Sequence, residues 1–172
     1  MIVARRAVLI AAAALLPAAV GACTLVLTEH RSARALARLP LNPAAPALRV
    51  AFTHSVLGTP VEDRYVFRHG AAGWRAVLVE ERWQGEGYGL PIAASPGETL
   101  VRDGAGWRLT LQREVQPLVV LALPAQRMRV LVDGQPPLLL GSLGPPTPVS
   151  VAMHVEGCPV DSVPPGSSKE PA

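Results

Sequence analysis

The sequence predicts an all-β domain, an antiparallel sandwich or barrel of about eight or nine short strands, preceded by an N-terminal signal or anchor helix. From Leu48 onward apolar and polar residues alternate with period two, as on a half-buried strand. Turn signals recur between these runs: Gly70-Ala71-Ala72-Gly73, Asp103-Gly104-Ala105-Gly106 and Asp133-Gly134. The connections are too short for helical crossovers, which parallel strands would need.

The N-terminus comes first in the chain. Arg5 and Arg6 precede Ala7–Thr28, a stretch without charge. A basic n-region followed by an apolar run is the layout of an export signal, and it leaves everything downstream outside the cytoplasm. We therefore assign residues 1–28 as signal peptide or membrane anchor and place the domain in the periplasm, tethered to the inner membrane. Three fates are open to this segment. Val20-Gly21-Ala22-Cys23 resembles a bacterial lipobox, which makes Cys23 a lipidation site. The 22-residue run spans about 33 Å as a helix, enough to cross a bilayer uncleaved. Cleavage after Ala22 is the third. Leu25-Val26-Leu27 continues the apolar run beyond Cys23 and counts toward the uncleaved anchor. Cys23 and Cys158 are the two cysteines, and on any anchored reading they are expected to stay unpaired.

Residues 29–47 read as a linker, either solvated or with a short basic helix over His30–Leu39, ended by Pro40, Pro43 and Pro46. The β domain follows over 48–157. Leu48, Val50 and Phe52 mark its first strand, Val61–Arg68 the second and Trp74–Trp83 a long third. A loop with Gly85, Gly87, Gly89, Pro91, Pro96 and Gly97 follows. Thr99–Asp103 and Trp107–Arg113 form a hairpin. Val115–Leu123 is a continuous apolar run and so a buried strand. Met128–Val132 and Leu138–Leu140 form a second hairpin, and Val149–Val155 is the last strand. Residues 158–172, with Pro164-Pro165-Gly166-Ser167-Ser168, read as a disordered tail.

The formal charge of +3 is almost wholly arginine, and the arginines are scattered through the strands. A nucleic-acid reader clusters basic residues on one element and adds stacking aromatics, so nucleic acid is excluded as a partner. The four histidines lack metal-ligand spacing, and no cofactor motif is present, so neither metal nor cofactor is expected. His54 and Ser55 are adjacent on a strand and point to opposite faces, which argues against a nucleophile–base pair and against an enzyme.

The chemistry-bearing residues concentrate in His54-Ser55-Val56-Leu57-Gly58-Thr59-Pro60-Val61-Glu62 and in Gly85-Glu86-Gly87-Tyr88-Gly89-Leu90-Pro91. If the strands on either side of the first segment pair, His54, Ser55 and Glu62 meet at one end of the sheet. Gly87, Tyr88 and Gly89 then pack over them, with backbone amides available to a ligand or partner. The alternative is local: His54 and Glu62 bond the backbone of a tight connection while the glycines take positive φ.

These two segments resemble the DUF1850 family, small exported or membrane-tethered bacterial proteins, with similarity over about residues 48 to 156. Tyr88 departs from the small residue expected between the glycines. The genes of the family lie beside TRAP transporters of the TAXI type. The resemblance therefore implies an accessory role, with the TRAP permease or its substrate-binding protein as partner at the His54–Glu62 and Gly85–Pro91 edge. A periplasmic ligand- or metal-binding module and a structural envelope lipoprotein are the rival readings.

Overall fold

The computed structural model describes residues 22–144 and 148–160; residues 1–21, which carry most of the expected signal or anchor, and 161–172 lie outside it. The described residues hold no helix long and apolar enough to cross a membrane. They form eleven strands: β1 (Thr24–Glu29), β2 (Ala35–Pro40), β3 (Ala47–Thr53), β4 (Pro60–Gly70), β5 (Gly73–Gln84), β6 (Thr99–Asp103), β7 (Gly106–Val115), β8 (Leu118–Ala122), β9 (Arg129–Leu131), β10 (Leu138–Leu139) and β11 (Val149–Glu156).

The fold is all-β, as predicted, and it is a two-sheet structure rather than a closed barrel. One sheet has the order β2-β1-β11-β8, the other β10-β9-β3-β4-β5-β7-β6, and the pairings within both are antiparallel. The predicted Gly70–Gly73 turn and the two predicted hairpins are present. Gly70 pairs with Gly73, Asp103 with Gly106, and Leu138 with Val130. At Gly106 a side chain is excluded outright, because a Cβ there would overlap the backbone oxygen of Trp83 on β5. Leu48, Val50, Val61, Phe67, Trp83, Leu109 and Leu111 bury their side chains toward the second sheet's Leu25, Leu27, Val151 and Met153 in one core.

Three boundaries differ from the sequence reading. Leu25-Val26-Leu27, which extended the apolar run past Cys23, is not membrane anchor but the centre of β1. Leu25 and Leu27 are fully buried opposite Val155 and Met153 of β11. An uncharged stretch serves a core strand as well as a bilayer, so hydropathy alone placed the boundary too late. Residues 35–40 are not linker or basic helix but β2, whose Arg38 leaves the sheet edge to pair with Glu156 at 2.6 Å. The run Val115–Leu123 is split by the cis peptide Gln116–Pro117. Val115 ends β7 in one sheet, and Leu118 begins β8 in the other.

The cysteines also correct an expectation. Cys23 and Cys158 form a disulfide, with Cys23 buried beside β1 and Cys158 just past β11. A sulfur so engaged is not free to carry a lipid, so Cys23 is a structural cysteine and not a lipidation site. Antiparallel pairing of β1 with β11 brings Thr24 opposite Glu156, and this sets the two cysteines side by side. Cys158, expected to open a disordered tail, is thus tied to the fold, and residues 161–172 of that expected tail lie outside the described residues.

Closing 135 residues of separation removes chain entropy from the unfolded state worth about 5 kcal/mol in the loop-closure model. Reduction, or a Cys23→Ala/Cys158→Ala pair, is therefore expected to lower the urea midpoint markedly, while thiol titration of the untreated protein finds no free cysteine. Leu27→Ala is expected to cost about 2–5 kcal/mol in the same titration; a membrane-anchor residue at that position would leave the domain's midpoint unchanged.

Candidate functional site

The candidate edge begins where β3 ends. His54–Thr59 is a tight turn closed by two backbone hydrogen bonds, His54 N–H to the Thr59 carbonyl (2.8 Å) and Gly58 N–H to the His54 carbonyl (2.9 Å). The imidazole completes it: Nδ1 accepts from the N–H groups of both Val56 and Leu57, each at 3.2 Å. His54 thus does what Asn and Asp do in short turns, offering an acceptor to amides two and three residues on. Ser55 is exposed on the outside of the turn.

The glycine-rich loop leaves β5 directly against this turn. Thr59 Oγ1 donates to the Gln84 carbonyl at 2.7 Å, and Gly85 packs on Leu57 so closely that a Cβ would lie 3.0 Å from Cδ1. Gly87, Tyr88 and Gly89 then have φ of +80°, +54° and +89°, three consecutive residues in the left-handed region. Glycine occupies that region freely, and a tyrosine there is strained by of order 1–2 kcal/mol. This is the physical content of the small residue expected at position 88. Tyr88 is 70% exposed, and Val56 (61%) and Ile92 (83%) stand out from the same pair of loops. Turn and loop do lie together, as the sequence reading required.

Glu62 does not join them. It faces Arg82 across the β4–β5 pair, and its Oε1 lies 3.4 Å from Nη1 of Arg49 on β3. Arg49 also reaches Asp133 at 3.4 Å, while Arg82 contacts Glu80 at 2.8 Å and Asp103 at 3.5 Å. Such exposed pairs contribute at most about 1 kcal/mol each. Their effect is to line the sheet's solvent face with alternating charge. A shallow cleft of about 370 Å³ opens there, lined by Pro60, Glu62, Arg82, Gln84, Asp103 and Trp107. Among the described residues no three His, Cys, Asp or Glu side chains converge as a metal site would need.

On the opposite face of the same strands lies a pair of residues that the sequence reading passed over. Asp63 is in register with Val50 on one side and with Glu81 on the other, and Glu81 is in register with the buried Leu109. Two carboxyls therefore face each other on the core side of the seven-stranded sheet. Burial, and then the Glu81 charge, pushes the Asp63 carboxyl up to about 7, against the pull of the Tyr65 hydroxyl. Burial raises Glu81 too, opposed by the Arg113 guanidinium, which is itself held by Glu98 at 2.9 Å. The signal was present in the sequence: Val61, Asp63, Tyr65 and Phe67 share one strand parity, and an aspartate among three apolar or aromatic residues breaks the pattern.

Fold and edge together define a two-sheet antiparallel β protein that presents a histidine-closed turn and a glycine-rich loop at one end. A family model, Domain of unknown function (DUF1850), matches residues 48–138, a little over half of the 172 residues. The chain belongs to the DUF1850 family. No curated protein and no solved structure matches it. The matched segment runs from β3 into β10; β1, β2 and β11, three of the four strands of the smaller sheet, fall outside it.

Asp63 yields a pH test with a definite sign. A carboxyl raised from 3.8 to about 7 on folding binds its proton more tightly in the native state. Its contribution to stability is fully present below pH 4, falls as pH rises toward 7 and is flat above that. The full span is about 4 kcal/mol as a ceiling, at about 1.4 kcal/mol per pH unit. Asp63→Asn is expected to melt several degrees higher than the wild type at pH 8 and to lose that advantage at pH 4. Melting curves of both proteins across this range check it, and coincident curves at every pH would show that Asp63 is ordinary.

Proposed function

We propose that this protein is a non-enzymatic accessory component of a TRAP/TAXI-type solute transporter, in the periplasm and held at the inner membrane by its N-terminal apolar segment. It meets the permease or the substrate-binding protein through the edge formed by the His54 turn and the Gly85–Pro91 loop. The observation that carries the reading is the exposure of Val56, Tyr88 and Ile92 on these two adjoining loops. Large apolar side chains standing in water at one place are characteristic of protein contact surfaces. The choice of transporter as partner rests on the family resemblance.

Two further observations support it. A disulfide persists in an oxidising compartment, which fits export. His54 Nδ1 is committed to the amides of its own turn, so its first role there is structural rather than catalytic. The cleft with Glu62, Arg82 and Asp103 favours a second reading, a module for a small polar ligand carrying both charges. A ligand of that kind would raise the melting temperature in proportion to the logarithm of its concentration.

Full-length protein isolated from membranes in mild detergent tests the proposal. Near-stoichiometric recovery of a TRAP permease or its binding protein is expected, together with an N-terminus that retains the apolar segment. The Tyr88→Ser/Ile92→Ser variant should lose the partner about tenfold or more while melting within a few degrees of wild type. Equal recovery with the variant would remove the loops from the contact, and recovery of the chain alone would remove the complex.

A further inference from the structure

The two sheets end in four edges, and three of them are guarded. β2 carries Arg38 and ends at Pro40. β6 carries Arg102 and Asp103. β10 is two residues long and follows Pro136 and Pro137. Charges, prolines and shortness are the devices by which an edge avoids pairing with another strand. β8 differs in carrying no charge: Leu118-Val119-Val120-Leu121-Ala122 holds five apolar residues in succession, and its flanking prolines, Pro117 and Pro124, lie beyond the strand's ends.

β8 is an open edge. It pairs with β11 on one side, from Leu118↔Met153 to Ala122↔Val149, and ends the four-stranded sheet on the other. Among the described residues, β11 is the one hydrogen-bonding partner of 118–122. Alternate N–H and C=O groups of the strand therefore point outward, where only water or another strand satisfies them. Leu118 and Ala122 are buried in the core, whereas Leu121 is 50% exposed.

We propose that β8 pairs antiparallel with β8 of a second copy of this chain, about a two-fold axis through Val120. The two four-stranded sheets then become one continuous sheet of eight strands. The strand complements itself. In this register Leu118 of each copy lies opposite Ala122 of the other, and Val119 opposite Leu121, so an apolar residue meets an apolar residue at every position. The outward rows carry no charge to oppose the pairing. The β11 residues beside Val119 and Leu121 are Ala152 and Ser150. A charged partner strand would find nothing on β8 to complement it, and a second copy is the uncharged strand already at hand. The pairing uses different residues from the loop edge and stands or falls independently of the transporter reading.

Light scattering of the full chain in mild detergent, over a range of concentrations, is the test. The wild type is expected to form a dimer, and Leu121→Lys, which places a charge on the exposed row, to weaken association about tenfold or more while keeping the melting temperature. Val120→Cys is expected to give a disulfide-linked dimer on oxidation, since the axis sets this residue against itself. This readout also serves if Leu121→Lys fails to fold. A wild type that stays monomeric throughout, a Leu121→Lys dimer of undiminished affinity, or a Val120→Cys protein that never cross-links would overturn the proposal.

Discussion

The pairing of β1 with β11 is the constraint on which the rest of the structure depends. The seven-stranded sheet presents Val50, Val61, Phe67, Leu109 and Leu111 on one face, and that face needs a cover. The cover is a four-stranded sheet built largely from the two ends of the domain. Its central strands, β1 and β11, stand more than a hundred residues apart in sequence and meet over six consecutive pairs. The Cys23–Cys158 bond lies at one end of that ladder. It limits how far the ends can separate in the unfolded chain, where the entropic obstacle to forming so non-local a pair is largest.

This arrangement explains which parts of the fold were legible in the sequence. The strands of the larger sheet are joined mainly by hairpins, and each hairpin announces itself locally by alternation and a glycine turn. Gly70–Gly73 and Asp103–Gly106 were read within a residue or two of their pairing. The smaller sheet offers no such signal. β1 looked like the tail of an export segment because Leu25-Val26-Leu27 carries no charge, and nothing nearby in sequence names its partner. β8 was hidden inside one apolar run because Val115 and Leu118 have the same composition yet belong to different sheets. The disulfide was missed for a related reason: two cysteines at opposite ends pair only if the ends are neighbours, and that is a property of topology.

The candidate site shows the same division. Proximity of the His54 turn and the glycine loop was legible because consecutive antiparallel strands put the β3–β4 turn and the exit of β5 at the same end of the sheet. The convergence of His54 with Glu62 was not, because strand parity and turn geometry decide where each side chain goes. His54 satisfies two amides of its own turn. Glu62 sits one strand across from Arg82 and within reach of Arg49, so its charge is answered on the sheet face and not at the loop.

Asp63 and Glu81 then pose a problem that local pattern cannot. Each lies on the strand parity of buried apolar neighbours, and each faces the other, where two apolar residues would be the stabilising choice. Neutralising one carboxyl relieves both the burial cost and the repulsion, and the rise of Asp63 toward neutrality is that relief expressed as proton affinity. The second carboxyl keeps its charge more readily because Arg113, fixed by Glu98, lies on its side of the pair. The asymmetry of the pair therefore comes from Arg113 on β7 and from Glu98, the residue just before β6. A charge pattern that destabilises the sheet locally is thus tolerated in the half of the fold whose hairpins are self-contained, while the half that depends on long-range closure carries aliphatic side chains and a disulfide.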